Sequence, residues 1–297
     1  MTEFVTTQQI WPQPKDDDVR VVIPDVHGHH EALKILLESV GAVHKGTKQP
    51  GYFVAQIGDL MNMCSDTREH DAETVKKGNE WIDMQILGNH EACNVFGMDN
   101  HAFGGMDYPH MLDPDTLLYA KKRKWQIAGV IDGYLLTHAG VHPHYQIDVD
   151  SYDGECEEER FAAYLQDIFV NRLINRRGVP VIDSVGVYGA GYISPGGVLW
   201  LRPQELTDQD WHDNRLRQVV GHTAVNEQFD MSVAGGFSGA SWWLSDVGAG
   251  KSDRIGCLTK LREDETWTPL LMKVPLREPE NPERVGLEVV DIEGSSE

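Results

Sequence analysis

Basic residues are scarce in this chain: 26 Lys and Arg stand against 47 Asp and Glu in 297 residues, a formal net charge of −21. A broad nucleic-acid or anionic-membrane surface needs clustered positive charge, so neither partner is expected. The acidity reads instead as a device for solubility. Cysteine is sparse too. Cys64, Cys93, Cys156 and Cys257 lie far apart with no Cys-x-x-Cys pair, which argues against a disulfide framework and fits a reducing compartment. No apolar run approaches the roughly 18 residues of a membrane span. The first residues lack the basic and long apolar stretches of a secretory leader. These absences describe a soluble, cytoplasmic protein.

Five short segments stand out against that background. They are Asp25-Val26-His27-Gly28, Gly58-Asp59, Gly88-Asn89-His90-Glu91, Thr137-His138-Ala139-Gly140 and Gly221-His222-Thr223. Each sets a metal-competent side chain beside a glycine or small polar turn, and three follow an apolar or β-branched run, at 19–23, 52–57 and 85–87. Such placement puts carboxylate, imidazole and amide groups at the carboxyl ends of strands, the edge where open α/β sheets bind ligands. Two Asp, one Asn and several His form a donor set for hard-to-borderline divalent metals. A two-metal centre points to in-line displacement at phosphorus or a related hydrolysis.

Hydrophobic spacing gives the frame. Residues 19–23, 52–57 and 84–87 read as strands, with helices over 29–40 and 68–81 between them and a Gly/Lys/Pro loop at 41–51. This βαβαβ order implies parallel strands joined by right-handed crossovers. Further on, helices are expected over 112–125 and 157–176, and strands at 126–130 and 134–137 flank the hairpin signal Asp132-Gly133. Residues 217–220, 241–245, 257–261 and 269–274 read as strands and 246–250 as a turn. A parallel-leaning half followed by an antiparallel-leaning half suggests two packed sheets with helices outside. The ligand segments run from Asp25 to His222, and a boundary between them would divide the site. The expected organisation is a polar lead-in at 1–18, one domain over 19–275 and an acidic tail at 276–297, with 40% hydrophobic residues enough for a sizeable core.

In this order the five segments resemble the calcineurin-like metallophosphoesterases, especially the Ser/Thr phosphoprotein phosphatases and the symmetrical dinucleoside tetraphosphate hydrolases. The resemblance covers about residues 19–260. It implies an α/β fold, a sandwich of two packed mixed sheets flanked by helices. It also implies two divalent cations: Asp25, His27 and Asp59 hold the first, and Asp59, Asn89, His138 and His222 the second, with Asp59 bridging. Manganese is the expected metal, with iron or zinc as alternatives for these N/O donors. The implied reaction is hydrolysis of a phosphate monoester, in a phosphoprotein or a small phosphoester, by in-line attack of a metal-bridging hydroxide. In that reading His90 serves the leaving oxygen, and Asn89 also faces the substrate phosphate.

The departures from the family pattern carry information. Pro24 replaces a glycine before the first segment. Asn62 stands where the phosphatases carry the Asp that orients the catalytic His; an amide accepts a hydrogen bond but lends no charge to an imidazolium. Met63 and Leu87 stand where many of them carry phosphate-gripping arginines. Arg202, in Trp200-Leu201-Arg202, becomes the leading phosphate-binding candidate because its planar fork grips two oxygens, with Arg68, Arg172, Arg176 and Arg177 behind it. Leu87 and the His138-Ala139-Gly140 form keep a dinucleoside polyphosphate hydrolase or phosphodiesterase open. Asn62 and Met63 keep open a weakened, metal-binding scaffold.

Overall fold

The structure is a computed structural model that describes residues 11–61, 68–96, 126–175, 177–187, 195–206, 210, 213–224, 229–230, 242–244, 254–260, 267–274 and 289–290. In chain order, β1 (Val19–Ile23) leads to α1 (His30–Ser39), a small pair β2 (Val43–His44) and β3 (Thr47–Lys48), and β4 (Tyr52–Gln56). Helix α2 (Arg68–Trp81), β5 (Met84–Gln85) and α3 (Asn89–Phe96) complete the first half. Then come β6 (Gly129–Ile131), β7 (Tyr134–Leu136), α4 (Glu157–Asn175) and α5 (Pro180–Asp183). Strands β8 (Gln218–Val220), β9 (Phe229–Asp230), β10 (Trp242–Leu244), β11 (Arg254–Lys260), β12 (Thr268–Lys273) and β13 (Val289–Val290) follow.

The first sheet runs β13-β12-β11-β1-β4-β5. Strands β1, β4 and β5 pair in parallel, as the βαβαβ reading expects. Val21, Val22 and Ile23 are all fully buried, which is why β1 ends on an unbroken apolar run after Arg20 rather than an alternating one. Helix α1 turns Ala32, Leu33, Leu36 and Leu37 inward, the one-sided stripe that ties a helix to a sheet. The C-terminal strands return to this sheet, where β11 lies antiparallel to β1, so β1 is central.

The second sheet runs β6-β7-β8-β10-β9. It is mixed rather than antiparallel-leaning: β7–β8 and β8–β10 are parallel, β6–β7 and β9–β10 antiparallel. The sheets approach where Leu87 N donates to Gln126 O at 2.7 Å and Gln126 N to Gln85 O at 3.3 Å. One continuous hydrophobic cluster draws on both sheets and on α1, α4 and Trp11. The fold is therefore the expected mixed α/β arrangement of sheets with flanking helices.

Two local differences have clear causes. The 41–51 stretch contains the β2–β3 pair, because Lys45 and Gly46 take φ of 48° and 77°, the left-handed pair of a tight hairpin turn. Asp132 and Gly133 do the same at 48° and 76° and announced themselves; a Lys in the first position hid the other. Helix α3 begins within the third ligand segment, a helix that the hydrophobic spacing does not announce. The helix expected at 112–125, the turn at 246–250 and most of the tail lie outside the described residues. Among the described residues no helix is long and apolar enough to cross a membrane.

Because Ile23 is fully buried at the end of the central strand, Ile23→Ala should cost about 2–5 kcal/mol. Urea unfolding should show it as a lower midpoint at unchanged slope.

Candidate metal centre

Each ligand segment sits just past the carboxyl end of a strand. Asp25 and His27 follow β1, Asp59 follows β4, Asn89 and His90 open α3 after β5, His138 follows β7 and His222 follows β8. The backbone there is unusual. Five described non-glycine residues have positive φ, and three are His27 (52°), Asp59 (51°) and His222 (65°). Side chains rarely adopt this region, and such strain persists only where the surroundings hold it. Here Val26 N and His27 N both donate to Asp59 O at 2.9 Å, and Gly28 N donates to Leu60 O at 2.9 Å. The first two segments are thereby locked together through main chain.

Glycines permit the close approach. A Cβ on Gly88 would lie 2.1 Å from both Asp59 N and Asp59 Oδ1, and one on Gly58 would lie 2.5 Å from His138 Nδ1. A Cβ on Gly221 would lie 2.5 Å from Asp25 Oδ1. No larger residue fits these places without moving a site side chain.

The result is a buried convergence. Asp25, His27, Asp59, Asn89, His90, His138 and His222 are all less than one-tenth exposed. His138 Nδ1 donates to Ile57 O at 3.1 Å, which turns Nε2 inward. There Nε2 lies 2.8 Å from Asn89 Oδ1, 3.1 Å from His222 Nδ1 and 3.4 Å from Asp59 Oδ2. On the other side of Asp59, His90 Nε2 stands 3.6 Å from Oδ2, and the His27 and His90 rings meet edge to face at 4.9 Å. Asp25 lies between, with Oδ2 3.6 Å from His27 Nε2 and Oδ1 accepting from His222 N at 3.0 Å.

These residues fit a divalent cation. His27, Asp59 and His90 form one group with mutually close ligand atoms; Asp59, His138 and His222 form another, and Asp59 belongs to both. His222 Nε2 is buried without a hydrogen-bond partner among the described residues. Electron-pair donors crowded this closely repel unless positive charge lies among them. The electrostatics agree. Burial pushes His138 down, yet the Asp59 and Asp25 carboxylates more than offset it and raise the imidazole to about 9. Burial pushes Asp59 up, but His138 and His90 hold it well below the usual carboxylate range. Burial, then the charges of His138 and Arg202, keep His222 well below the usual imidazole range. The two carboxylates draw positive charge into the pocket, as a proton on His138 or as a cation.

The expected site residues fall as follows. Six metal-ligand candidates and His90 come together; His90 lies in the His27 group. Trp200 packs edge-on against His222 at 5.9 Å, and Arg202 Nη1 donates to His222 O at 3.1 Å and Thr223 Oγ1 at 3.2 Å. Arg202 thus brings its charge beside the second group. Arg172 is engaged elsewhere, with Nε 3.1 Å from Asp183. Asn62 and Met63 lie outside the described residues. His142, just beyond the fourth segment, is buried and stands 3.6 Å from Asp210.

Glu91 was visible in the motif but received no role. It is fully buried, and its carboxylate accepts from Asp59 N, Met61 N and Gly88 N at 2.9–3.0 Å. Burial and the nearby Asp59 carboxylate push Glu91 up to about 7 against the amide bonds from Met61 and Gly88.

The His138 shift has a sign that can be checked without substrate. Its folded pKa near 9 exceeds the ordinary 6.5, so the stabilisation it lends the metal-free fold is complete below that ordinary value and lost as pH rises through about 9. Urea unfolding of chelator-treated protein should weaken between about pH 7 and pH 9, by at most about 1.4 kcal/mol per pH unit. His138→Asn should flatten that profile, and Mn2+ binding near pH 7 should release protons.

Comparison with known proteins bears on the fold. No protein-family model matches the chain, and no curated protein does. Solved structures do. A protein serine/threonine phosphatase from Saccharomyces cerevisiae aligns over 89% of this chain and 82% of its own, at 14% identity and a TM-score of 0.52. A protein provisionally described as a diadenosine tetraphosphatase aligns over 86% and 94%, at 15% identity and a TM-score of 0.50. A metallophosphoesterase from Sphaerobacter thermophilus aligns over 84% and 87%, at 13% identity and a TM-score of 0.43. At these identities the likeness is one of fold: over most of its length the chain shares the architecture of the first two of these proteins.

Proposed function

We propose that the protein is a metal-dependent hydrolase of phosphate monoesters, either a phosphoprotein phosphatase or a small-phosphoester phosphatase. The supporting observation is the pair of buried donor groups sharing Asp59. Asp25, His27 and Asp59 would hold one divalent cation, and Asp59, Asn89, His138 and His222 a second. The absence of thiolates from the set favours manganese, with iron or zinc as alternatives. When bound, such a pair neutralises phosphoryl oxygens and acidifies water at neutral pH.

The chain's own groups do the rest. His90, beside the shared carboxylate, is the proton donor to the leaving oxygen. Asn89 turns Oδ1 toward His138, and its amide N–H groups can donate to the substrate phosphate. Arg202, anchored through His222 O, supplies the charge that the usual arginine positions lack. Asn62 is the acceptor proposed to orient His90.

Hydrolysis of p-nitrophenyl phosphate should vanish on chelation and return with Mn2+; failure to return would refute the proposal. His90→Asn should lower kcat about 10²- to 10⁴-fold, and Asp59→Asn should abolish activity with metal binding. Arg202→Ala should act mainly through KM, the signature of lost ground-state binding.

A second reading, hydrolysis of dinucleoside polyphosphates or phosphodiesters, is favoured by Leu87 and the His138-Ala139-Gly140 form. Turnover of diadenosine tetraphosphate in preference to a phosphopeptide would select it. A protein that binds Mn2+ and turns over neither would be the metal-binding scaffold suggested by Asn62 and Met63.

A further inference from the structure

We infer that Glu91 is the positioning residue for the metal centre: its carboxylate sets the backbone that aims Asp59, a role that rests on the metal reading above. Three amides from two turns, at residues 59–61 and at Gly88, converge on one side chain. Glu91 Oε2 accepts from Asp59 N and Gly88 N, both at 2.9 Å, and Oε1 accepts from Met61 N at 3.0 Å. All three amides belong to the turns that present ligands. Asp59 sits in the left-handed region at φ 51°, directly after Gly58 at φ 105°, a conformation a free chain seldom takes.

The geometry assigns each contact a purpose. Bonds to Asp59 N and Met61 N fix the Gly58–Asp59 and Leu60–Met61 peptides, which bracket the Asp59–Leu60 pair, so the left-handed turn cannot relax to an ordinary one. The bond to Gly88 N ties that turn to the start of α3. From there His90 N donates to Asp59 Oδ1 at 2.9 Å, which leaves Oδ2 facing His138 and His90. One carboxylate thus holds the main chain of a second, while the neighbouring amide selects which oxygen points at the histidines. Only a side chain with two acceptor oxygens at this length can serve all three amides. A glutamine offers one oxygen and turns an N–H group toward an amide that needs an acceptor. Supports of this kind, one bond removed from a metal ligand, typically govern affinity about 10- to 100-fold.

The test compares full-length wild type with Glu91→Gln in calorimetric titrations of chelator-treated protein with Mn2+ alone, below the unfolding range of both. Leu165→Ala, a fully buried change on α4, which bears no ligand, serves as a destabilised control. The expected result is Mn2+ affinity at least about tenfold lower in Glu91→Gln and unchanged in the control. Equal affinity in wild type and Glu91→Gln, or an equal loss in the control, overturns the assignment. Because no substrate is used, wild type that binds Mn2+ but hydrolyses no phosphoester would sink the phosphatase reading and leave this comparison intact. Wild type that binds no Mn2+ overturns both. Should Glu91→Gln fail to fold, amide exchange in metal-free wild type decides. Asp59, Met61 and Gly88 amides exchanging only with global unfolding support the assignment, and fast exchange overturns it.

Discussion

The architecture turns on the crowding of donor atoms around Asp59. An amide oxygen and a second imidazole nitrogen lie 2.8 Å and 3.1 Å from His138 Nε2, with the buried Asp59 carboxylate 3.4 Å from it. Left to themselves these groups would separate and hydrate, since burying unpaired polar atoms is expensive. They are held by main chain: the Val26 and His27 amides on Asp59 O, the Gly221 amide on His138 O, and Asp25 on the His222 amide. The strained φ values of His27, Asp59 and His222 are the local consequence. Strain of this sort survives only when the packed sheets behind it are stiff, which central β1, with its fully buried Val21, Val22 and Ile23, supplies.

That arrangement accounts for the glycines as well as the ligands. Gly58, Gly88 and Gly221 each stand where a Cβ would strike a site residue. In the sequence they look like turn residues attached to ligands; in the fold they are the clearance through which one segment passes another. Gly58 alone among the three also needs its positive φ.

Much of the frame was legible beforehand because its signals are local. Strand β1 and helix α2 fall on the expected residues, and the Asp132-Gly133 hairpin follows from its turn chemistry. What escaped depended on distance or on unfavourable-looking residues. Nothing local tells that β11 leaves the second half of the chain to pair with β1, carrying β12 on its outer side. A Lys in a left-handed turn concealed the β2–β3 pair. His142 lies in a loop by sequence and is buried by tertiary contact. Arg202 was singled out for phosphate, and it donates to His222 O and Thr223 Oγ1, which brings it near the site through backbone that sequence spacing does not describe.

The sequence by itself determined which side chains are chemically able to act and that each follows a strand, because residue type and hydrophobic period are properties of short stretches. Only the tertiary structure decided that Asp59 stands between two histidine groups, that Glu91 faces three backbone amides and that His138 is drawn toward a positive charge. Those facts depend on distances between segments up to about two hundred residues apart. Such distances are set by the packing of two sheets, which no single stretch encodes.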